Sequence, residues 1–311
     1  MALRAIRLSY VLLCCIFPGL LVVTATGRVG ATDATPVVSP YTPAHTAPLK
    51  PSERLVRVMP GHQQFRVEFN GIKQDRVPAF LYIPKQRTGK CPAVLLQYGS
   101  GGNKGSGYIV QIGRYFADRG FVVLTIDSPG KGERAPKVRH WYDALNLKRG
   151  HDLFIQYLGD YSRAIDYLAT RPEVDTKRIG YVGISWGAIT GITFVAHDSR
   201  IRATASLVGG GDVVHHLPIK LADDFKKELE RLDPVNHIAL IAPRPLLLIN
   251  VTHDQLIPRA CAEALHHAAG KGAKIVWLDT DHYFHNLDRM KVAQSVVDFL
   301  RQNMAAGAET R

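Results

Sequence analysis

Cysteine and long apolar runs are scarce in this sequence, and each shortage excludes a class of protein. Four cysteines in 311 residues are too few for a disulfide-bonded scaffold. Beyond the N-terminal segment, no apolar stretch is long enough to span a membrane. Hydrophobic residues make up 46% of the chain and charged residues 21%, which is typical of a globular protein and argues against a disordered or collagen-like one.

Acidic residues are in deficit, with 27 Asp and Glu against 39 Lys and Arg, so the formal net charge is +12. The basic residues are scattered along the chain, and their densest set lies between Lys131 and Arg149. No basic helix carries the interleaved aromatic residues that favour nucleic-acid binding. We therefore expect a solvated basic surface and no nucleic-acid partner.

The N-terminal segment has the layout of a signal peptide. Arg4 and Arg7 precede an apolar run from Leu8 to about Ala25, which ends in small residues suited to cleavage. The sequence thus predicts a signal peptide over residues 1–25 and a secreted or periplasmic protein. An uncleaved anchor is the alternative, because about 17 apolar residues can just span a bilayer. A membrane would be a partner only in that case.

Residues 26–51 are rich in Pro, Thr and Ala, which predicts a linker that buries little apolar surface. Residues 52–311 then form a single predicted domain. The cysteines of this domain are Cys91 and Cys261, and neither has metal-ligand spacing. We expect buried free thiols, although a disulfide between them is the alternative in an oxidising compartment.

Strands and helices alternate along the predicted domain. Phe65–Phe69 and Val77–Ile83 alternate apolar and polar residues around Asn70-Gly71, which predicts an antiparallel hairpin. Six further apolar segments predict buried strands: Ala93–Gln97, Phe121–Asp127, Arg178–Val182, Ala203–Val208, Pro245–Val251 and Lys274–Asp279. Helical spacing of apolar residues predicts helices between these strands, including a last one at about 289–303.

This alternation predicts an α/β fold with a mostly parallel sheet and helices on both of its faces. Ligands bind such sheets at the carboxyl ends of the strands. The sharpest functional motif lies at one of these ends. Gly183-Ile184-Ser185-Trp186-Gly187 follows a predicted strand and opens a predicted helix, as a nucleophilic serine on a tight turn would. The alternative is a glycine-rich turn whose Ser185 only caps the helix.

A serine hydroxyl needs a base, and the base needs a partner that orients it. His282 follows the predicted strand Lys274–Asp279 and could accept the proton of Ser185, with His285 as its competitor. Asp254 follows Pro245–Val251 and could hold the other imidazole nitrogen. We expect Asp279 to be a turn residue.

The oxyanion of a tetrahedral intermediate needs backbone N–H donors. The amide of Trp186, directly after Ser185, is one candidate. The glycine-rich loop after Ala93–Gln97 supplies the other, for which we favour the amide of Ser100, with Gly99 or Tyr98 as alternatives. This loop lacks both the phosphate-binding Gly-Lys-Ser/Thr ending and the full G-x-G-x-x-G spacing.

The chain resembles the α/β-hydrolase superfamily, and within it the esterases similar to dienelactone hydrolases and acetylxylan esterases. The resemblance covers about residues 60–303. It is carried by Ser185, Asp254, His282 and these segments: Leu95–Gly102, Ile126–Glu133, Arg163–Leu168, Arg178–Gly180 and Pro243–Leu248. The sequence departs from the family pattern at Ser185, where dienelactone hydrolases have cysteine, and this argues against their lactone substrate. It departs also at Tyr98 and Asp281, where the usual residues are His and Gly.

The resemblance implies hydrolysis of a small-molecule or carbohydrate ester through an acyl-enzyme, with no cofactor and no metal. Two alternatives use the same fold. A peptidase-like serine hydrolase would cleave amide bonds, but the chain has no room for a large gating domain. A non-catalytic binding protein would not use the serine at all. Residues 131–152 and 209–243 are predicted insertions, and either could cover the site.

Overall fold

The computed structural model describes residues 47–135, 147–216 and 223–305. The predicted signal peptide lies outside these residues, as does all of the predicted linker except residues 47–51. Those last linker residues are fixed to the domain, because Asn70 donates its backbone N–H to the Leu49 carbonyl at 2.7 Å and Arg163 donates to the Ala47 carbonyl at 2.6 Å. Within the described ranges, every helix is too short or too polar to cross a membrane.

The described residues form an α/β fold around one nine-stranded sheet in the order β1-β2-β3-β5-β4-β6-β7-β8-β9. The strands are β1 Ser52–Val58, β2 His62–Asn70, β3 Arg76–Pro84, β4 Cys91–Gln97, β5 Val122–Ile126, β6 Val174–Ile184, β7 Ile201–Leu207, β8 Leu246–His253 and β9 Ala273–Asp281. The strands from β5 through β9 in this order run parallel, whereas β1, β2 and β3 are antiparallel. This architecture confirms the predicted mostly parallel sheet with an N-terminal antiparallel hairpin.

Seven α-helices lie in the described ranges: α1 Gly107–Ala117, α2 Leu147–Ala169, α3 Trp186–His197, α4 Val213–His216, α5 Asp223–Leu232, α6 Arg259–Ala269 and α7 Arg289–Asn303. Short 3-10 helices lie at Gly132–Arg134, Pro234–Asn236, Ile238–Ile241 and Gly270–Gly272. One face of the sheet packs against α1 and α7, and the other packs against α2, α3 and α6. The central parallel strands are therefore covered on both faces, as their continuous apolar runs require.

The strand β1 was not among the predicted elements. All seven of its residues are exposed, and it pairs only with β2 at the edge of the sheet. An edge strand without a buried face has no apolar alternation by which the sequence could reveal it. Cys91 and Cys261 are both buried free thiols, as expected.

Candidate active site

Four predicted site segments meet at the carboxyl edge of the parallel sheet. Ser185 follows β6, Asp254 follows β8, His282 follows β9, and the loop with Ser100 follows β4. Because these strands run parallel and neighbour one another in the order β4-β6-β7-β8-β9, their carboxyl ends lie along one edge. The topology thus brings together residues that are up to 182 positions apart.

The turn that carries Ser185 is sharply bent. Its backbone has φ 53° and ψ −114°, an unusual conformation for a residue with a Cβ. The Ser185 N–H donates to the Leu207 carbonyl at 2.8 Å, which ties the turn to β7. The bend leaves no room for side chains on the flanking glycines. A Cβ on Gly183 would lie 2.3 Å from the Gly187 carbonyl oxygen, and one on Gly187 would lie 2.8 Å from the Tyr98 carbonyl oxygen.

A continuous chain of hydrogen bonds joins Ser185, His282 and Asp254. The distance from His282 Nε2 to Ser185 Oγ is 3.0 Å. His282 Nδ1 lies 2.9 Å from Asp254 Oδ1 and 2.8 Å from Oδ2. Carboxylate oxygens accept hydrogen bonds, so Nδ1–H donates to Asp254 and Nε2 is the ring nitrogen that faces the Ser185 hydroxyl.

The Asp254 carboxylate is itself held in place. Its Oδ1 accepts from the backbone N–H groups of Leu256 and Ile257, at 2.8 Å each. The Asp254 and His282 side chains are 7% and 4% exposed, so little water competes for their contact. This pair is therefore both oriented and shielded, as the orienting partner of a catalytic base has to be.

The competing residues lie elsewhere. His285 contacts Asp281 Oδ2 at 2.6 Å, and its side chain is 65% exposed. Asp279 is also exposed and accepts from Thr252 at 2.8 Å, with His253 at 3.0 Å. The imidazole that reaches Ser185 is thus that of His282.

The loop after β4 packs directly against the serine. Gly99 is so close that a Cβ on it would lie 3.2 Å from the Cβ of Ser185. The Gly99 N–H donates to the Tyr108 hydroxyl at 2.9 Å and is therefore engaged. Of the loop amides that the sequence offered, this contact favours Ser100 over Gly99. Lys131 donates to the Ser100 carbonyl at 2.5 Å, and burial lowers the pKa of this lysine.

Tyr108 was not identified as a site residue from the sequence, because its ring fits the helical spacing of apolar residues between the predicted strands Ala93–Gln97 and Phe121–Asp127. Helical spacing accounts for the apolar ring of this tyrosine but does not predict a hydrogen bond to its hydroxyl group. The Tyr108 side chain also touches the loop at Gly102, where a Cβ would lie 2.9 Å from its hydroxyl oxygen. The sequence carries no signal for these contacts with Gly99 and Gly102, which only the packing of α1 against the loop reveals.

A pocket of about 440 Å³ opens beside Ser185 and extends between α1 and α7; we call it the α1/α7 pocket. Its apolar lining consists of Ile112, Phe116, Val182, Ile184, Leu207, Leu256, Phe284, Met290, Val292, Ala293 and Val296. Its polar lining includes Ser185 and His282, together with the exposed residues Gln111, His285 and Arg289. The site therefore combines a serine hydroxyl and an imidazole with an apolar cavity, and a few polar groups in an apolar cavity are a common form of small-molecule site.

The described residues contain no group of three or more His, Cys, Asp or Glu side chains that could hold a metal ion. The first predicted insertion, residues 131–152, contains the aromatic residues Trp141 and Tyr142, and both lie outside the described residues. Of the second insertion, residues 209–216 and 223–243 are described. The carboxylate of Asp233, in this insertion, accepts from the backbone N–H groups of Asp212 at 2.7 Å and Val213 at 2.9 Å.

Comparisons with known proteins identify the family and several similar proteins. The model of the dienelactone hydrolase family matches residues 77–304. A putative hydrolase of Bacillus subtilis, YtaP, is 30% identical over 231 residues, which are 67% of this chain and 76% of that protein. Esterase FrsA of Photorhabdus laumondii is 30% identical over 156 residues, and the chain covers 33% of that longer protein.

Solved structures show the same fold. The acetyl xylan esterase of Paenibacillus sp. R4 superposes with a TM-score of 0.66 at 19% identity, over 80% of this chain and 89% of that one. Acetyl xylan esterase 1 of Thermoanaerobacterium sp. gives 0.67 at 18% identity, over 83% of this chain and 89% of that one.

Proposed function

Because this chain belongs to the dienelactone hydrolase family and is a carboxylic ester hydrolase, we propose that it works as a serine esterase with an acyl-enzyme on Ser185. The single observation that carries the proposal is the hydrogen-bond chain from Ser185 Oγ through His282 to Asp254, with distances of 2.8–3.0 Å. A serine hydroxyl acts as a nucleophile only when a base takes its proton, and this chain of contacts supports that transfer.

In the proposed reaction, Ser185 Oγ attacks the ester carbonyl carbon while His282 Nε2 takes the hydroxyl proton. The imidazolium is stabilised by Asp254, which stays ionised. His282 then gives its proton to the leaving alcohol, and the C–O bond to that alcohol breaks. A water molecule attacks the acyl-enzyme with His282 as base, which releases the acid and restores the Ser185 hydroxyl.

We propose the backbone amides of Trp186 and Ser100 as the donors that stabilise the oxyanion. Trp186 begins α3, so the partial positive charge of this helix terminus lies next to the developing negative charge. The engaged Gly99 amide supports Ser100 as the second donor. Such donors are typically worth about 10²–10³-fold in kcat each.

Small-molecule or carbohydrate esters are the proposed substrates. The names of the relatives support this class, since they include esterases and acetyl xylan esterases. The reaction as proposed uses no metal and no organic cofactor, because the side chains and amides named above carry every proton and charge.

The decisive experiment is labelling with a fluorophosphonate probe, followed by intact-mass spectrometry and p-nitrophenyl acetate hydrolysis. We expect one probe per wild-type chain and none on Ser185→Ala, whose hydrolysis rate should fall by several orders of magnitude. Ser295→Ala, an exposed site on α7, is the matched control and should label fully. Equal labelling of Ser185→Ala would rule out this nucleophile, and faster turnover of peptide anilides than of esters would favour the peptidase-like alternative.

We further propose that residues 1–25 direct export and are then removed, on the strength of Arg4, Arg7 and the apolar run that follows them. N-terminal sequencing of the protein from an exporting host tests this proposal. An intact Met1 in the mature protein would contradict it and would favour the membrane anchor.

A further inference from the structure

We propose that the α1/α7 pocket binds the acyl chain of the substrate, so that the enzyme prefers esters of medium-length aliphatic acids to acetates. This inference rests on the proposed function, because it assumes that the acyl group is attached to Ser185. It names the class of acid, and that class differs from the acetyl group in the names of the two similar acetyl xylan esterases.

The pocket begins at the reacting atoms. Ser185 and His282 both line it, as do Gly99 and Ser100 of the loop that faces the serine. A carbonyl carbon attached to Ser185 Oγ would therefore stand at the entrance, with the rest of the ester directed along the cavity. No separate tunnel is needed to connect the chemistry with the apolar surface.

The inner wall of the pocket is apolar and buried. Phe116 of α1, Val182 of β6 and Val296 of α7 are each 1% exposed, and all three line the cavity. The polar lining residues Gln111, His285 and Arg289 are exposed and mark its outer rim. An aliphatic chain is complementary to such a wall, whereas a sugar would leave its hydroxyl groups without hydrogen-bond partners there.

The acyl half of the ester suits this pocket better than the alcohol half. The acyl group stays bonded to Ser185 until water releases it, so a cavity that ends against the buried faces of α1, β6 and α7 does not hinder the first step. The alcohol has to leave for solvent before water can attack. The outer side of the site, where the side chains of Leu256 and Tyr283 are about half exposed, gives the alcohol that exit.

An acetyl group would use only a small part of the cavity. Its volume of about 440 Å³ lies within the range of about 300–1,000 Å³ that holds small-molecule ligands. Burial of one additional methylene group in such a cavity is expected to raise kcat/KM about fourfold. We therefore expect kcat/KM to rise by about fourfold per methylene from acetate to hexanoate, until the cavity is filled.

The first experiment measures kcat/KM for p-nitrophenyl acetate, butyrate, hexanoate and octanoate. A second comparison uses two isomeric esters, ethyl octanoate and octyl acetate, which have the same composition and differ only in which half is long. We expect the p-nitrophenyl series to rise with chain length and ethyl octanoate to be hydrolysed at least tenfold faster than octyl acetate.

Variants test the location of the preference. Ala293 of α7 is 6% exposed and lines the pocket, so Ala293→Phe places a ring in the cavity. We expect this variant to lower the ratio of kcat/KM for hexanoate to kcat/KM for acetate by at least tenfold. Ser295→Phe adds the same ring to the exposed side of the same helix and should keep the wild-type profile. Ile112→Trp fills the cavity from α1 and replaces Ala293→Phe if that variant does not fold.

The possible results of these experiments test the acyl pocket, its location and the proposed function separately. A flat or falling chain-length profile, with fluorophosphonate labelling of Ser185 intact, overturns the acyl pocket and leaves the serine esterase standing. Faster hydrolysis of octyl acetate overturns the assignment of the acyl half. A folded Ala293→Phe or Ile112→Trp enzyme that keeps the long-chain preference overturns the location. Loss of both labelling and turnover on all esters overturns the proposed function and the inference together.

Discussion

The Tyr108 hydroxyl accepts a hydrogen bond from the Gly99 backbone N–H at 2.9 Å, and this contact fixes the loop that faces Ser185. Tyr108 lies in the first turn of α1, whereas Gly99 lies two residues beyond the end of β4. The contact therefore ties a helix to the loop that carries the proposed oxyanion donor. Replacement of Tyr108 by phenylalanine removes only the hydroxyl oxygen and therefore tests whether this contact positions the loop.

Tyr108→Phe should lower kcat by about tenfold and change KM much less, because the Gly99 amide loses its acceptor and the neighbouring Ser100 amide loses its orientation. Steady-state kinetics with p-nitrophenyl butyrate measures the effect. Tyr115→Phe is the matched control on the same helix, since it removes a hydroxyl that bonds to Gln294 at 2.9 Å. Equal kcat values for the two variants would contradict the positioning role.

Asp254→Asn should lower kcat by about a thousandfold or more, because the amide cannot stabilise the imidazolium and can force the wrong imidazole tautomer. Single-turnover and steady-state rates both report the loss. Asp279→Asn supplies the control, since Asp279 is an exposed carboxylate that contacts His253 instead. A comparable loss in Asp279→Asn would contradict the assignment of Asp254.

Gly183→Ala should lower the free energy of unfolding by about 1–3 kcal/mol, because its methyl group would lie 2.3 Å from the Gly187 carbonyl oxygen in the serine turn. Urea denaturation followed by circular dichroism measures the change. Gly89→Ala is the control, because nothing lies within 4 Å of the added methyl group. If both variants unfold at the same urea concentration, the turn is looser than described.

Acidification should destabilise the fold through a pair of histidines remote from the site. His197 Nε2 lies 3.0 Å from His237 Nδ1, and burial, with a smaller contribution from His237, lowers the pKa of His197 from 6.5 to about 4. Between these values the unfolded chain binds more protons at this position than the folded one, so stability falls as the pH drops from 6.5 towards 4.

Urea denaturation at pH 7.5, 6 and 5 measures this dependence. His197 is only half-buried, so its share of the slope should be well below the limit of about 1.4 kcal/mol per pH unit. His197→Gln should flatten the slope, whereas the exposed His253→Gln should leave it unchanged. Identical slopes for wild type and His197→Gln would contradict the assignment.

Most of the sheet could be predicted from the sequence, because the parallel strands β4 to β8 are mostly buried and contain continuous apolar runs. The serine, aspartate and histidine were recognisable for a related reason. Ser185, Asp254 and His282 each follow a parallel strand directly, so the end of a predicted strand marks the position of each candidate site residue. Their roles in catalysis stay predictions that the labelling and kinetic experiments address.

The α1/α7 pocket could not be predicted in this way. Val292 and Val296 lie at helical spacing within the last predicted helix, at about 289–303, and such spacing is typical of residues that face the core. Periodicity identifies which side chains turn away from water, but it does not distinguish a filled interior from a cavity, because both are lined by the same residue types. Only the packing of α7 against α1 reveals that Val296 borders empty space.

The short link between His282 and the start of α7 has a consequence for how this enzyme could change its preference. Six residues separate the imidazole from Arg289, where the helix that forms one wall of the pocket begins. A bulkier acyl group that displaced α7 outward would also displace His282, because the segment that connects them is short. Selection for a new acid would therefore act through side-chain size within the wall more easily than through movement of the wall itself.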